Sequence, residues 1–403
     1  MEAILSSYPR NSGALREIKK GLILKLILSG EKYSGAELGR VLNVGRSTVL
    51  HVIRELKDEG LIEETGYGET TEKGGRKPLK LGIKSDSNFI ICLWIKGNFL
   101  AGSVIDLKGR TLLALKREMD IVEGPDVLVE EMINIVKKLE SGFLAEKPFA
   151  KLLACGISFS GRVDPEKGMA LYEHNFGIKD FPICDIISSG TGLRTYIDNR
   201  AVIAGTAENW FGNARNLRNF VFLQVLPSMR SVAFLDGNPF RGINHMAGEV
   251  GAIPLAGGAS ENQFICDIVD TQIFKLPGIS SRTGFRNGDF LKNKPGALTA
   301  LRHFLESVEE FKYTKNDIDI VIGCAKKLLG NFISFYDPET IVFSGIPDEY
   351  HDYFLEEMKK ALYSSMYMVP PENYRLEMAS SLENRTELGI LGMVMDRILN
   401  KIN

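Results

Sequence analysis

Residues 46–59 hold the sequence feature that most limits how this chain can fold, because apolar and polar side chains alternate at helical spacing. Val49, Val52, Ile53 and Leu56 recur three and four residues apart, which is typical of a helix with one buried face. Gly60 then ends the segment. The opposite face is mainly polar, and most of its polar residues lie in the first half of the segment. They are Arg46, Ser47, Thr48, His51 and Arg54, with Leu50 among them.

The residues around this helix predict a small module. Ser34 and Glu37 form a capping-box pattern that starts a short helix through Leu42, and residues 43–45 form a tight turn. An earlier helix, ended by Gly30, has an apolar stripe: Leu15, Ile18, Leu22 and Leu26, widened by Ile23 and Ile27. Strand-like runs at residues 61–65 and 79–83 follow. This order is typical of a winged helix-turn-helix, and the alternative is a plain helical hairpin packed on the rest of the chain.

The composition of residues 74–78 predicts a flexible, basic segment that cannot form a core. Arg76, followed by Lys77, is placed to reach into a narrow minor groove, where the negative potential is greatest. The alternative is a solvated linker between domains, and both interpretations can hold together. Residues 1–84 carry 15 Lys and Arg against 11 Asp and Glu, whereas the whole chain has a net charge of −2. A mildly basic head on an acidic body is compatible with a DNA-binding module.

The remaining composition excludes several classes of protein. A chain of 403 residues is too long for one core, so two or three domains are expected. No apolar run is long enough to cross a bilayer and the first residues lack a signal-peptide pattern, so we expect a cytoplasmic protein. No metal site is expected, because the five cysteines are scattered among apolar neighbours: Cys92, Cys155, Cys184, Cys266 and Cys324.

From about residue 85 the pattern changes to alternating strands and helices, which predicts an α/β body. Strands are predicted at residues 89–95, 100–107, 150–158, 194–198, 220–226 and 340–344, with a hairpin at residues 96–98. Helices are predicted at residues 127–140, 202–209 and 318–336.

Residues 34–83, from the capping serine through the Gly-Leu-Ile turn at 60–62 to Gly74-Gly75-Arg76-x-Pro78, resemble the N-terminal domain of the ROK family of repressors and sugar kinases. Gly45 departs from the family pattern, which often has a capping serine there. The resemblance continues to the C-terminus. It implies a winged helix-turn-helix over residues 1–84, then a two-lobed actin-like, ribonuclease-H-like sugar-kinase body with lobes at 85–200 and 201–384. A C-terminal helix at about 385–403 is expected to return to the first lobe.

The resemblance also shows which kinase residues are missing. Counting back from Glu208 places Asn199 at the family's asparagine and Arg200 where its catalytic aspartate belongs, with Asp198 just before. Residues 94–98 lack the aspartate of the first phosphate loop. In the second loop, at residues 226–230, Pro227 removes an amide donor and Met229 adds bulk. We therefore expect no enzyme activity and no cofactor. The family's zinc site is also expected to be absent, since residues 248–252 lack its histidine and no cysteine follows at residues 253–263.

Parts of the family's sugar cleft remain recognisable. The resemblance assigns five effector-binding candidates: Ser160, Gly161, Asn175, Asn199 and Glu249. The alternative is that these are residual turn residues in a pocket that no longer binds sugar. Arg200 and Arg230 raise a further hypothesis, that a cationic cleft takes a phosphorylated or acidic sugar. Its alternative is that both arginines are solvated or form internal ion pairs.

The sequence thus predicts a transcriptional regulator, most simply a repressor of carbohydrate-metabolism genes. Its partners are double-stranded operator DNA and a sugar or sugar-derivative effector, and the expected assembly is a homodimer or a dimer of dimers. Arg46, Ser47, Thr48, His51, Arg54, Arg76 and Lys77 are the predicted DNA contacts. Two alternatives stay open: an ATP-dependent sugar kinase with a regulatory DNA-binding head, and a ligand-independent repressor whose body only dimerises.

Overall fold

Three helices and a hairpin form the N-terminal part of the molecule. The computed structural model describes residues 12–28, 33–68, 77–96, 99–119, 124–173, 176–215, 217–254, 264–274, 311–365 and 370–399. The first elements are α1 (Ser12–Leu28), α2 (Gly35–Val41), α3 (Arg46–Asp58), β1 (Ile62–Tyr67) and β2 (Leu79–Ile83). The predicted capping box forms, since Glu37 N donates to Ser34 Oγ (3.4 Å) and Ser34 N donates to Glu37 Oε2 (2.6 Å). The two strands are antiparallel, with Ile62 opposite Ile83.

The apolar stripe of α1 agrees only partly with its prediction. Ile23 and Ile27 are buried, together with Leu24, which the predicted stripe did not include. Leu22 and Leu26 are partly buried and pack against the same core. The side chains of Leu15 and Ile18, and the whole of Gly30, lie outside the described residues.

The first large sheet has five strands in the order β10-β6-β3-β4-β5. They are β3 (Asn88–Lys96), β4 (Phe99–Asp106), β5 (Thr111–Glu118), β6 (Lys151–Phe159) and β10 (Thr195–Asn199). Strands β3, β4 and β5 form an antiparallel meander, while β6 is parallel to both β3 and β10. Phe89, Ile91 and Leu93 face one core and Ile90 and Cys92 face another, so both faces of the sheet are covered.

Helices and a small sheet complete this part. α4 (Pro125–Glu146) and α5 (Ile183–Thr191) pack on the face of the sheet that carries Phe89. A three-stranded antiparallel sheet lies between these two helices in the chain. Its strands are β7 (Arg162–Asp164), β8 (Met169–Glu173) and β9 (Ile178–Phe181).

The second large sheet also has five strands, in the order β13-β12-β11-β14-β15. They are β11 (Phe220–Gln224), β12 (Arg230–Leu235), β13 (Asn238–Pro239), β14 (Thr340–Ser344) and β15 (Arg375–Met378). β11, β14 and β15 are parallel, and β12 is antiparallel to β11. A short helix α7 (Ile265–Ile268) and the longer α8 (Lys315–Tyr336) and α9 (His351–Ser365) belong to the same core.

Two central helices connect these parts. Every residue of α6 (Arg200–Phe211) from Ala201 to Trp210 is buried. Val202 and Ala204 pack with β11 and β12 of the second sheet, whereas Ile203 and Trp210 pack with α10 (Arg385–Leu399). α10 in turn contacts β3 and β6 of the first sheet.

The N-terminal helices share a core with the body. Ile23, Leu24 and Ile27 of α1 belong to the same buried cluster as Ile390 and Val394 of α10. Polar contacts reinforce this junction: Lys25 Nζ donates to Asn209 Oδ1, and Trp210 Nε1 donates to Asp396 Oδ2 at 3.2 Å. The α1 helix is therefore fastened to α6 and α10 by both apolar and polar contacts.

Candidate functional site

The outer face of α3 is the first candidate site. Its four predicted core residues are all buried: Val49, Val52, Ile53 and Leu56. Arg46, Ser47, His51 and Arg54 are exposed, Thr48 is half-buried, and Leu50 is 47% exposed. The predicted division of this helix into a core face and a polar face is confirmed.

The charges on this face are available to an external partner. Arg46 and Arg54 have no ion-pair partner among the described residues, whereas His51 Nε2 lies 3.4 Å from Glu55 Oε1. Gly45 precedes the helix and has no side chain that could accept hydrogen bonds from the first-turn amides. Open amides at the helix start, with two guanidinium groups on the same face that are unpaired within the described ranges, are suited to an anionic surface.

The hairpin is fixed to α2 beside this face. Lys80 Nζ on β2 contacts Glu37 Oε2 at 2.7 Å, and Ser34 also donates to that carboxylate. Partial burial raises the pKa of Glu37, but the hydrogen bonds from Lys80 and Ser34 outweigh it and lower the pKa to about 2. Lys77 is exposed at the start of β2, and Arg76 lies outside the described residues.

The second candidate site is the cleft where β10 runs into α6. Asn199 caps α6, because its Oδ1 accepts from Ala201 N at 2.8 Å, and its Nδ2 donates to Gly161 O at 2.7 Å. A side chain at Gly161 would put its Cβ 2.4 Å from Tyr172 O, so only glycine fits this close approach. Ser160 is half-buried beside it, and Asn175 lies outside the described residues.

Two carboxylates of the cleft are already paired with arginine. Asp198 accepts from both terminal nitrogens of Arg241, each at 2.6 Å, which is the bidentate geometry of a strong ion pair. Glu249 Oε1 accepts from Arg230 Nη1 at 2.6 Å. Of the two alternatives given for Arg230, solvation or an internal ion pair, the structure shows the ion pair. Both oxygens of Asp198 and one oxygen of Glu249 are therefore engaged with guanidinium groups.

Arg200 differs from these arginines. It is half-buried at the first position of α6, and it has no acidic partner among the described residues. Partial burial, followed by the nearby charge of Arg230, lowers the pKa of Arg200 to about 10. Arg200 is therefore a cation beside another cation, Arg230.

The cleft is nearly closed. It encloses about 20 Å³, little more than one water molecule needs. The wall of this space includes Asn199, Arg230, Arg241, His245 and Glu249. No sequence pattern singles out Arg241 or His245, because each meets its carboxylate across the cleft rather than at a fixed spacing: His245 Nε2 lies 3.7 Å from Asp164 Oδ2.

A larger cavity of about 260 Å³ lies beyond the carboxyl ends of β14 and β15. Gly345, His351, Ser380 and Arg385 are among its lining residues. Glu208 of α6 is fully buried nearby and accepts hydrogen bonds from Ser380 N and Asn213 N, at 3.1 and 3.0 Å, and from Arg385. This glutamate holds α6 to the segment that leads into α10.

The cysteines fit their predicted role as small apolar side chains, with Cys92, Cys155, Cys184 and Cys324 buried and Cys266 partly buried. Burial raises the pKa of Cys324 to about 11. Within the described ranges, no three His, Cys, Asp or Glu side chains are grouped to hold a metal ion. Over the same residues, each helix is too short or too polar to cross a membrane.

Known proteins share this sequence pattern and fold. A family model described as the ROK family matches residues 90–397. The chain is similar to the xylose repressor of Caldicellulosiruptor bescii, with 24% identity over 410 residues that cover 97% of this chain and 98% of that protein.

Solved structures support the same fold. A crystal structure of a ROK family transcriptional regulator, a homolog of the Escherichia coli MLC protein, superposes with a TM-score of 0.69 at 17% identity over 96% of this chain and 97% of that one. A ROK family glucokinase from Streptomyces griseus, solved with glucose and AMPPNP, superposes with a TM-score of 0.53 at 17% identity. It covers 76% of this chain and 98% of its own. These likenesses place the molecule among mixed α/β folds of this type.

Proposed function

The chain belongs to the ROK family, and from that premise we propose that it is a DNA-binding transcriptional repressor of sugar-metabolism genes. The name of the similar xylose repressor, matched over nearly its full length, supports this function. The observation that carries the proposal is the outer face of α3, where exposed polar side chains lie opposite the buried apolar stripe of the same helix.

The N-terminal elements are the DNA-binding unit in this proposal. Residues 1–84 form a winged helix-turn-helix in which α3 is the recognition helix and the β1–β2 hairpin is the wing. The major groove is about 12 Å wide and admits one helix. Arg46 and Arg54, which have no ion partner among the described residues, contact phosphates or base edges, and Ser47, Thr48 and His51 contact bases. Lys77, with Arg76 before it, extends the contact to the adjacent minor groove.

The body does not act as a kinase in this proposal. A sugar hydroxyl needs a free carboxylate base, but Arg200 stands at the expected position and the neighbouring Asp198 is held by Arg241. Pro227 also removes an amide donor from the segment that corresponds to the second phosphate loop, and the buried Met229 adds bulk there.

The body instead binds an effector and dimerises. We assign residues 85–200 and 201–384 to two actin-like lobes, with α10 returning to the first, and place the effector in the cleft between them. Binding changes DNA affinity only if the effector favours one arrangement of the lobes over the other. The Asp198–Arg241 pair joins β10 of the first sheet to the loop that follows β13 of the second, so we expect it to respond to a change in the arrangement of the lobes.

Selection of genomic fragments by the purified protein at about 0.15 M salt tests this function, because that ionic strength partly screens nonspecific phosphate contacts. We expect one pseudo-palindromic sequence to be enriched. Arg54→Ala should weaken binding to it by about tenfold or more, since a lost base or phosphate contact is worth about 1–3 kcal/mol. Affinity is then measured by fluorescence anisotropy on the selected sequence.

The matched control is Arg375→Ala, which removes an exposed arginine of β15 far from α3 in the chain. It should bind the selected sequence as the unaltered protein does. Equal losses for the two variants, or no enrichment over random DNA, would contradict the proposal. ATP-dependent phosphorylation of any hexose by the purified protein would revive the kinase alternative.

A further inference from the structure

One exposed apolar side chain lies on the otherwise polar outer face of α3. Leu50 is 47% exposed, and Arg46 and Arg54 lie one turn before it and one turn after it in the same row along the helix. Ser47, three residues earlier on this face, is exposed as well. A single exposed leucine is common on protein surfaces, so its position between two arginines is the informative observation.

Leu50 does not serve as a core residue of the N-terminal helices. The four core residues of α3 are at most 8% exposed, and Leu50 lies outside the buried cluster that they form with the other described residues. Gly35, the first residue of α2, lies beside it: a Cβ there would be 3.1 Å from Ile53 Cδ1 and 3.8 Å from Leu50 Cδ2. Because glycine has no side chain, this end of α2 leaves the methyl groups of Leu50 open to an external partner.

The row of Arg46, Leu50 and Arg54 matches the chemistry of the major groove. Phosphate oxygens and the O6 and N7 atoms of guanine accept hydrogen bonds from guanidinium groups, so both arginines find partners on a DNA duplex. The apolar group that base edges present in this groove is the C5-methyl of thymine. A leucine held between two arginines that bind DNA is therefore brought to the groove in which this methyl group is available for packing.

We propose that Leu50 is a specificity-determining residue, which packs against the C5-methyl group of a thymine in the operator. This inference rests on the proposed function, because it takes α3 as the helix that enters the major groove. Arg46 and Arg54 fix the position of the helix on the duplex. Leu50 then selects thymine at one position of the half-site, since adenine, guanine and cytosine lack this methyl group.

Operators that contain deoxyuridine test this contact directly. The full chain first selects its operator from genomic fragments, and each thymine of the selected sequence is then replaced in turn by deoxyuridine, which still pairs with adenine but lacks the methyl group. Affinity is measured by fluorescence anisotropy at constant salt. We expect replacement at one position of the half-site to weaken binding by about fourfold, the value for burying one methyl group.

Three variants assign the contact to Leu50. Leu50→Ala should weaken binding to the thymine operator by at least the same factor and should bind the thymine and deoxyuridine operators equally, since the side chain that meets the methyl group is gone. Leu50→Met keeps an apolar side chain of similar size and should retain a preference for thymine. Leu112→Ala is the matched control, because it truncates a leucine of β5 that is 40% exposed, and it should bind both operators as the unaltered protein does.

The inference is wrong if no replacement by deoxyuridine weakens binding, or if the preference for thymine survives in Leu50→Ala. It is also wrong if Leu50→Ala changes the sedimentation of the protein without DNA, because Leu50 would then lie in a contact between protein chains. A selected operator whose methyl groups make no difference overturns this inference alone and keeps the proposed repressor function. Failure to select any sequence overturns both.

Discussion

At the scale of single residues, Glu37 has two roles. Its carboxylate completes the capping box with Ser34 at the start of α2, and it also accepts from Lys80 on β2 at 2.7 Å. One side chain therefore fixes both the helix that precedes α3 and the hairpin beside it. Because the Lys80 and Ser34 contacts lower its pKa to about 2, the native state holds this group ionised in conditions where the unfolded chain protonates it.

This shift predicts a pH-dependent stability. A carboxyl with a depressed folded-state pKa contributes stability above its ordinary value of 4.5, and the contribution is lost as the pH falls through about 2. Glu37→Gln keeps a capping-box side chain but removes the charge. We expect it to lower the free energy of unfolding by about 1 kcal/mol at pH 7, with the difference shrinking toward pH 2. Urea denaturation at several pH values measures this.

The comparison variant is Glu130→Gln, which neutralises an exposed carboxylate on α4. Its difference from the unaltered protein should stay near zero between pH 7 and pH 3. A Glu37→Gln effect that did not depend on pH would mean that the ion pair with Lys80 contributes nothing.

At the scale of elements, α6 and α10 pack through glycines. A Cβ on Gly389 would lie 2.1 Å from Ile203 O, and one on Gly392 would lie 2.8 Å from Thr206 Cγ2 and 3.0 Å from the Trp210 ring. The obstacle at Gly389 is backbone, which cannot move aside as a flexible side chain does. The two helices that connect the sheets and the N-terminal core are thus closer than side chains of ordinary size would allow.

Gly389→Ala should therefore destabilise the protein by about 1–3 kcal/mol, the usual range for an overpacked core. Gly323→Ala is the matched substitution on α8, where a Cβ meets nothing within 4 Å. That change should stabilise by about 0.5–1 kcal/mol, since alanine is the better helix former. Thermal denaturation followed by circular dichroism compares the two, and a neutral Gly389→Ala would show that the helices can separate at little cost.

The same elements show what sequence patterns can and cannot predict. The bounds of α3 and β2 were predicted within a residue, because capping residues and glycines mark their ends locally. β7 was missed because three residues are too short for a pattern. β5 was also missed, although it contains the apolar run at residues 112–115; most of its residues are exposed. In the cleft, the family resemblance, counted back from Glu208, puts Arg200 where the catalytic base belongs, and that role stays a prediction. The Asp198–Arg241 pair joins residues 43 positions apart, and no local signal connects them.

At the scale of the whole molecule, the N-terminal helices and the body share one buried core. Leu24 of α1 is 1% exposed and belongs to the same cluster as residues of α3, β3 and α10. The residues before and after position 84 therefore pack together in one core, although a domain boundary is predicted there. Unfolding of the first three helices would expose apolar surface of α10.

Leu24→Ala tests this shared core. The lost packing should lower the free energy of unfolding by about 2–5 kcal/mol, and the whole molecule should still unfold in a single transition. Leu112→Ala, on the exposed face of β5, should change stability by less than about 0.5 kcal/mol. Calorimetry that resolved two transitions, with only one shifted by Leu24→Ala, would show instead that the N-terminal helices unfold on their own.

The position of Trp210 gives the molecule a built-in optical reporter. The chain has two tryptophans, and this one is 2% exposed, donates to Asp396 and lies with its ring centroid 5.5 Å from Lys25 Nζ of α1. Indole emission responds to nearby charges and to water, and both would change if α1 moved against α6 and α10. In a Trp94→Phe background Trp210 is the single indole, so a shift in its emission wavelength on ligand addition would record, without any label, a movement of α1 against α6 and α10.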